Sequence, residues 1–254
     1  TTVMTSPGSA NACGGTMAIL KTAGRMADRM QIGTGVKFAL GENPKSVYND
    51  RDETPITRMA TAAMIREGLA KAQRYQQELD FAESDPDEHM PDYDAKSEAL
   101  LPLLERDVKA HFHCHRADDI CTAIRIAKEF NLDYVIIHGT EGHLIADILA
   151  EENAPVIAGP ILCDRCKPEM QHLTISGPSI MQKAGVKLAL CTDHPVIPIQ
   201  YLPTTAALAV KGGMQREDAL YAITAGAAEI LGVENRIGSI AAGMDADLQP
   251  VSYT

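Results

Sequence analysis

The sequence contains no tryptophan, and aromatic residues make up only 4% of its 254 residues. Its core must therefore be filled by alanine, isoleucine, leucine, valine and methionine. No apolar run approaches the roughly 20 residues that a bilayer-spanning helix needs, so we expect no membrane span. The net charge is −11 and lysine and arginine form no run, which argues against a nucleic-acid surface.

Cysteine is too sparse for a disulfide framework, with six residues in the whole chain. Cys163 and Cys166 form a single CxxC, in CDRC, without the second Cys or His pair that a structural zinc site needs. We expect two free thiols in a loop, with a zinc site at CDRC as the open alternative. A reducing, cytoplasmic setting fits this cysteine usage best.

Short apolar runs alternate with helical patterns along most of the chain. Such runs are typical of a parallel sheet whose two faces are covered by helices, either a doubly wound sheet or a (β/α) barrel. A nucleotide-binding doubly wound sheet is disfavoured because neither GxGxxG nor GxxxxGK[ST] occurs. The predicted strands are TTVMTSPG, AILKTAG (18–24), GVKFALGEN (35–43), VKAHFHCH (108–115), DYVIIHG (133–139), APVIAGPIL (154–162) and VKLALCTDHP (186–195).

Residues 46–107 interrupt this rhythm and are predicted to be a helical insertion within a single barrel domain that spans 1–254. A long helix is predicted from Thr54, which is a good N-cap, with Pro55 at the first helical position. An acidic loop follows, and a second helix is predicted over AKSEALLPLLERD. The chain opens on TTVMTSPG, which is not typical of a signal peptide, so we expect it to begin inside a larger protein.

Potential metal ligands stand at the ends of several predicted strands. The segment HFHCH places His111, His113 and His115 at alternate positions, which share one face of a strand, while Cys114 points to the other. His111 lies deeper in the strand and is expected to be buried and structural. Because the carboxyl ends of barrel strands meet at the face that holds the active site, we expect a divalent ion there. The strand-end residues are Glu42, His113, His115, His138, Asp193 and His194.

This pattern resembles the amidohydrolase superfamily, and within it the imidazolonepropionase-like metal-dependent hydrolases. HCHRADDI and IIHGTEGH are similar to the histidine pair of barrel strands five and six, and CTDHP to the aspartate of strand eight. EDALYAITAGAAEILGVENRIGSIAAGMDADL is similar to the family's closing segment. The resemblance implies a (β/α)8 TIM-type barrel that is incomplete here: strands two to eight, with the helical insertion between strands four and five. The His-x-His pair of the family's first strand is absent.

The resemblance also implies roles for individual residues. His113 and His138 would bind one metal ion, and Asp193 would bind a second and act as general base. Glu42 would take the place of the bridging ligand on strand four, which many relatives supply as a carboxylated lysine. The residues next to the substrate would be His115, Arg116, His143 and His194.

The implied reaction is hydrolysis of an amide or other C–N bond in a small molecule by metal-activated water. One or two ions are expected, with zinc first and manganese or iron as alternatives. Acyl dipeptides, cyclic amides and deaminated heterocycles remain open as substrates, and a homo-oligomer is compatible with the sequence. The alternative is a non-catalytic or degenerate barrel that binds a metal or small molecule without turnover.

Overall fold

The computed structural model describes residues 1–85 and 87–248. Seven strands form one curled sheet in which they neighbour one another in chain order. The strands are β1 (Thr2–Thr5), β2 (Cys13–Lys21), β3 (Gln31–Ala39), β4 (Lys109–Cys114), β5 (Tyr134–His138), β6 (Val156–Ala158) and β7 (Leu188–Leu190).

Helices fill most of the connections. The helices are α1 (Ala27–Met30), α2 (Glu42–Asn49), α3 (Arg58–Ser84), α4 (Ala95–Glu98), α5 (Leu101–Leu104), α6 (Ala117–Glu129), α7 (Ala146–Glu151), α8 (Gly177–Lys183), α9 (Leu202–Lys211), α10 (Arg216–Ala222) and α11 (Ala225–Leu231). None of the helices in the described ranges is long and apolar enough to cross a bilayer.

Strands β3 to β7 are parallel throughout, each joined to the next by a helical connection. Within the described residues the outer strands β1 and β7 do not pair with each other, so the sheet is an open, incomplete barrel. This arrangement confirms the predicted TIM-type fold in its incomplete form.

The first three strands correct the expectation of a sheet that is parallel throughout. β1 pairs antiparallel with β2, and β2 pairs antiparallel with β3. Residues 6–12 connect β1 to β2, and residues 22–30 connect β2 to β3. Both connections are shorter than the dozen or more residues that a crossover between parallel strands requires. Because β2 alone is reversed, β1 runs in the same direction as β3, and their carboxyl ends lie at the same edge of the sheet.

The main hydrophobic core lies between the sheet and its helices. Phe38 of β3 and Phe112 of β4 stack there, with ring centroids 5.2 Å apart. Cys114 is buried in the same helix-side cluster, on the opposite face of β4 from the histidines, as its position in HFHCH predicts. A smaller cluster on the inner face includes Val135 and Ile137. The main core does not occupy the inner face, so polar side chains can lie on that face at the carboxyl end of the sheet.

The helices α3 to α5 lie between β3 and β4, where the insertion is predicted, and residue 46 falls within α2. Helix α3 begins three residues later than expected, at Arg58, because the side chain of Thr57 rather than Thr54 caps it by accepting the Ala60 N–H at 3.1 Å. The predicted second helix is divided into α4 and α5. Pro102 has no N–H to continue the α-helical ladder, which explains the break.

Replacing Thr57 with alanine is expected to lower the free energy of unfolding by about 1 kcal/mol, because a helix N-cap loses its acceptor. Thr54→Ala is the matched control and is expected to change it by less than about 0.5 kcal/mol, as for other exposed surface positions. Urea unfolding of the two variants measures the difference. Equal losses would show that Thr57 does not cap α3.

Candidate metal centre

Three histidines meet at the carboxyl ends of two neighbouring parallel strands. His113 lies on β4, His115 follows its last residue, and His138 ends β5. One ligand nitrogen from each lies within 4.8 Å of the other two, and all three side chains are buried. The ring centroid of His138 is 4.5 Å from that of His113 and 4.6 Å from that of His115. We call these three residues the histidine triad.

His138 reaches the triad through an unusual backbone conformation. Val135 and Ile137 face inward and Ile136 faces the helices, so simple alternation would send His138 to the helix side. Its φ of 74° breaks the alternation and turns the imidazole toward the other two rings. Non-glycine residues in this region carry strain and are concentrated at functional sites.

Fixed partners orient two of the triad rings. His138 Nδ1 lies 2.6 Å from the carbonyl oxygen of Gly159, and His115 Nδ1 lies 2.7 Å from the Thr140 hydroxyl. A carbonyl only accepts, so His138 Nδ1 carries the proton and its Nε2 offers a lone pair. Such outer partners are typical of metal-ligating histidines.

Burial keeps the triad uncharged. Desolvation lowers the pKa of His113 well below its usual value and that of His115 to about 2. It also lowers the pKa of His138, although the negative charge of Asp193 opposes the shift. Neutral imidazole is the form that binds metal ions, so the triad can hold a cation at neutral pH without first losing protons.

A buried lysine lies on the same face as the triad. Lys37 of β3 is in register with His111, and its ammonium contacts the Ser6 hydroxyl at 3.3 Å. Burial lowers the pKa of Lys37, and the charge of Asp193 works against that shift. A buried amine with a lowered pKa at an active-site edge is a candidate for chemistry as well as for structure.

Comparison with known proteins identifies the family. The amidohydrolase family model matches residues 12–253. The chain belongs to the amidohydrolase family. The structure of an amidohydrolase from Thermotoga maritima MSB8 is 43% identical and superimposes with a TM-score of 0.94, covering 97% of this chain and 65% of that one. Amidohydrolase tasK of Hapsidospora irregularis is 29% identical over 95% of this chain and 27% of its own length. The chain therefore spans less than two thirds of each relative.

Glu42 and Asp193, the two predicted carboxylate ligands, are not part of the potential metal cluster found among the described residues, which consists of the histidine triad alone. Glu42 does not end a strand, because β3 stops at Ala39 and Gly41, with a φ of 84°, turns the chain into α2. Its Oε2 atom is buried and has no hydrogen-bond partner in the described part of the protein. Asp193 follows β7 in an exposed turn with a φ of 54°.

The structure also locates the residues predicted to lie near the substrate. His115 joins the triad itself. Arg116 precedes α6 and forms a two-pronged ion pair with Asp118 at 2.9 Å. His143 is half-buried, with Nδ1 3.0 Å from the Thr140 carbonyl, and His194 is exposed beside Asp193. Contact of these residues with substrate stays a prediction.

His111 is buried, as expected. Its Nδ1 has no partner within residues 1–85 and 87–248. Burial lowers the pKa of His111 to about 3.

Cys163 and Cys166 are both free thiols, and CDRC lies in neither a helix nor a strand. The triad is the one potential metal cluster in the described ranges.

The loop after β6, residues 159–176, brings in polar groups that strand patterns do not reveal. Lys167 donates to Asn43 Oδ1 at 2.9 Å, and the fully buried carboxylate of Glu169 accepts the Glu42 N–H at 2.9 Å. In the same loop His172 pairs with Glu141 at 2.7 Å, a partner that the sequence alone does not indicate. The available signal is loop length: a long connection that contains charged side chains and a histidine follows a predicted strand, APVIAGPIL, that ends without a potential ligand.

Proposed function

We propose that this chain forms most of the catalytic barrel of a metal-dependent hydrolase that cleaves an amide or other non-peptide C–N bond in a small molecule. The observation that carries the proposal is the triad of buried histidines at the carboxyl edge of an amidohydrolase-family barrel. Family membership supports the reaction class. The imidazolonepropionase-like subgroup and the choice among acyl dipeptides, cyclic amides and related substrates belong to the proposal.

The residues present fit a divalent cation. Three imidazoles offer nitrogen ligands within 4.8 Å of one another, and Nδ1 of one of them, His113, is buried without a partner in the described residues. The buried Oε2 of Glu42, next to Asn43 in the chain, also lacks a partner there. Nitrogen ligands with a carboxylate favour zinc, and manganese or iron would also fit. When bound, such an ion lowers the pKa of water and polarises the carbonyl group under attack.

Asp193 is the proposed general base. It follows β7, the last strand of the sheet, in an exposed turn, and its charge is close enough to influence the pKa of His138 and that of Lys37, which supports this role. A carboxylate in this position can accept a proton from water and return it to the leaving nitrogen.

Lys37 is our candidate for the ligand that bridges two metal ions, which the family places on the fourth strand of the complete barrel. That strand is β3 here. Lys37 lies on β3 and shares the face of His111 and His113, whereas Glu42 lies on the helix beyond the strand. The resemblance to relatives that use a carboxylated lysine supports this choice. Glu42, with its unpartnered oxygen, is the other candidate.

Elemental mass spectrometry of the purified chain tests the metal centre. We expect about one zinc, manganese or iron ion per chain in the wild type, and its loss in the variant with both His113→Ala and His138→Ala. The variant with both Cys163→Ser and Cys166→Ser is the matched control and should retain the ion, since CDRC lies outside the triad. Loss of the ion in the cysteine variant, with its retention in the histidine variant, would overturn the assignment.

Hydrolysis of an amide panel by the wild type and by Asp193→Asn then tests the reaction. Loss of about a hundredfold or more in kcat is expected for Asp193→Asn, as for removal of a general base. A metal-loaded chain that hydrolyses none of these substrates would favour the second reading, a barrel that binds a metal without turnover.

A further inference from the structure

The parallel ladder between β4 and β5 ends before it reaches the whole triad. Its last register pair is Cys114 with His138, and His115 lies one residue beyond that pair. His138 leaves the strand conformation at the same point, with its φ of 74°. Strand pairing alone therefore does not fix the position of His115 relative to His138.

The turn that follows β5 continues the contacts where the ladder ends. The Gly139 N–H donates to the Cys114 carbonyl at 3.0 Å, and the Glu141 N–H donates to the His115 carbonyl at 2.8 Å. Between these two residues, the Thr140 hydroxyl lies 2.7 Å from Nδ1 of the same histidine. Three consecutive residues of the turn are thus bonded to the end of β4 and the residue after it.

The side chain of Glu141 adds a further bond to the segment after β4. Its Oε2 atom accepts the N–H of Ala117, the first residue of α6, at 2.8 Å. The first N–H groups of a helix have no partner within the helix and carry partial positive charge, so a carboxylate is favoured there. Glu141 is therefore bonded to the chain on both sides of Arg116, through the His115 carbonyl and the Ala117 N–H.

The other carboxylate oxygen of Glu141 is also occupied. Oε1 lies 2.7 Å from Nδ1 of His172, which belongs to the loop after β6. A carboxylate only accepts, so the imidazole donates this bond. The Glu141 side chain is only 9% exposed, and turning it away would leave a buried N–H without an acceptor. Its orientation is thus fixed by partners from two different loops.

We propose that Glu141 is a positioning residue that fixes the separation of His115 and His138 by joining the segment after β4 to the turn after β5. It acts through backbone groups, the His115 carbonyl and the Ala117 N–H. A metal site requires its ligands within about 0.5 Å of the binding geometry, so a looser separation should weaken metal binding. The joining of the two segments rests on the contacts alone, and its consequence for metal binding rests on the proposed function.

Hydrogen exchange followed by mass spectrometry tests the joining in chelator-treated protein. In Glu141→Ala, peptides that cover residues 115–120 and 139–142 should exchange about tenfold faster or more, because a hydrogen bond to a charged group is lost. Glu141→Gln should stay much closer to the wild type. Its amide oxygen can still accept the Ala117 N–H, and its NH₂ group can donate to His172 Nδ1 once that ring carries its proton on Nε2.

Glu129→Ala is the matched control, because Glu129 lies at the opposite end of α6 and pairs with Arg66 at 2.6 Å. It should leave exchange in both peptides unchanged. Equal exchange in the wild type and Glu141→Ala would overturn the proposal, and so would a loss in Glu141→Gln as large as that in Glu141→Ala. If Glu141→Ala does not fold, Glu141→Asp takes its place. Its carboxylate is one methylene shorter and cannot reach both partners, so faster exchange is again expected.

Metal affinity supplies an independent measurement. Competition of zinc with a chromophoric chelator should show binding about 10-fold weaker or more in Glu141→Ala, as for loss of other outer partners of a metal site, and no change in Glu129→Ala. A variant that loses stability to urea but keeps its zinc affinity would overturn the consequence for metal binding. Absence of zinc binding by the wild type would instead contradict the proposed function, while hydrogen exchange would still decide the joining of the two segments.

Discussion

Gly159→Ala is expected to lower the free energy of unfolding by about 4 kcal/mol or more, an exceptional loss for one methyl group. A Cβ atom at this position would lie 2.2 Å from the carbonyl oxygen of Cys191, a backbone atom that no side-chain rotation can move. Gly159 also has a φ of 137°, which residues with a side chain rarely adopt. β6 and β7 would have to separate at their carboxyl ends to admit the methyl group.

The same change should disturb the triad, because the Gly159 carbonyl accepts the His138 Nδ1 proton. Urea unfolding measures the stability, and zinc competition measures the effect on the site. Gly8→Ala is the matched control: nothing lies within 4 Å of its Cβ position, so we expect a change within about 0.5 kcal/mol. A Gly159→Ala protein as stable as the wild type would mean that the carboxyl ends of β6 and β7 are farther apart than the 2.2 Å contact implies.

The strand ends that carry the triad could be predicted because strands repeat with a period of two. β4 is observed at Lys109–Cys114 within the predicted 108–115, and β5 at Tyr134–His138 within 133–139. Alternation correctly placed His113 and His115 on one face and Cys114 on the other. For His138 alternation alone would have failed. The residue faces the site only because its backbone adopts a positive φ, which no local pattern encodes.

The expectation for Glu42 shows a different limit. GVKFALGEN is apolar enough to predict a strand through residue 43, yet the strand ends at Ala39 and Glu42 begins a helix. The turn depends on Gly41 fitting against Glu169, a residue far away in the sequence. Lys37, two positions before the strand end and in register with His111, is for this reason our candidate for the role that the resemblance implies for Glu42.

Contacts between distant segments, such as α2 and the loop after β6, could not be found by periodicity at all. Asn43 and Lys167 contact each other across more than a hundred positions, through side-chain atoms whose directions are set by tertiary packing. The sequence also does not predict that β2 pairs antiparallel with both β1 and β3, for a related reason. Apolar content indicates burial, whereas strand direction follows from the length of the connections between strands.

Acidification below pH 6.5 is expected to destabilise the protein steeply. Four histidines are buried, and desolvation is the first cause that lowers the pKa of each: His111 to about 3, His115 to about 2, His113 well below its usual value and His138 as well. In the unfolded chain each has a pKa of about 6.5. As pH falls below 6.5 the unfolded state therefore binds protons that the folded state does not, and for His111 and His115 this difference persists down to about pH 3.

The sign of the effect follows from proton linkage. Stability from a group with a lowered pKa is fully present above its unfolded pKa and is lost as pH falls, by about 1.4 kcal/mol per pH unit for each proton. Four such groups give a slope of about 5 kcal/mol per unit below pH 6. At this slope a domain with the usual stability of about 5–15 kcal/mol would unfold between about pH 5.5 and about pH 3.5.

Urea unfolding of chelator-treated protein at several pH values between 5 and 7.5 measures this slope, and an indicator dye measures proton uptake on unfolding at pH 5.5 independently. His111→Gln separates the contributions, because His111 lies outside the triad and its loss should reduce the uptake by about one proton. Uptake of fewer than two protons by the wild type would mean that the histidines already carry charge in the folded state. The histidines could then not form the neutral triad on which metal binding depends.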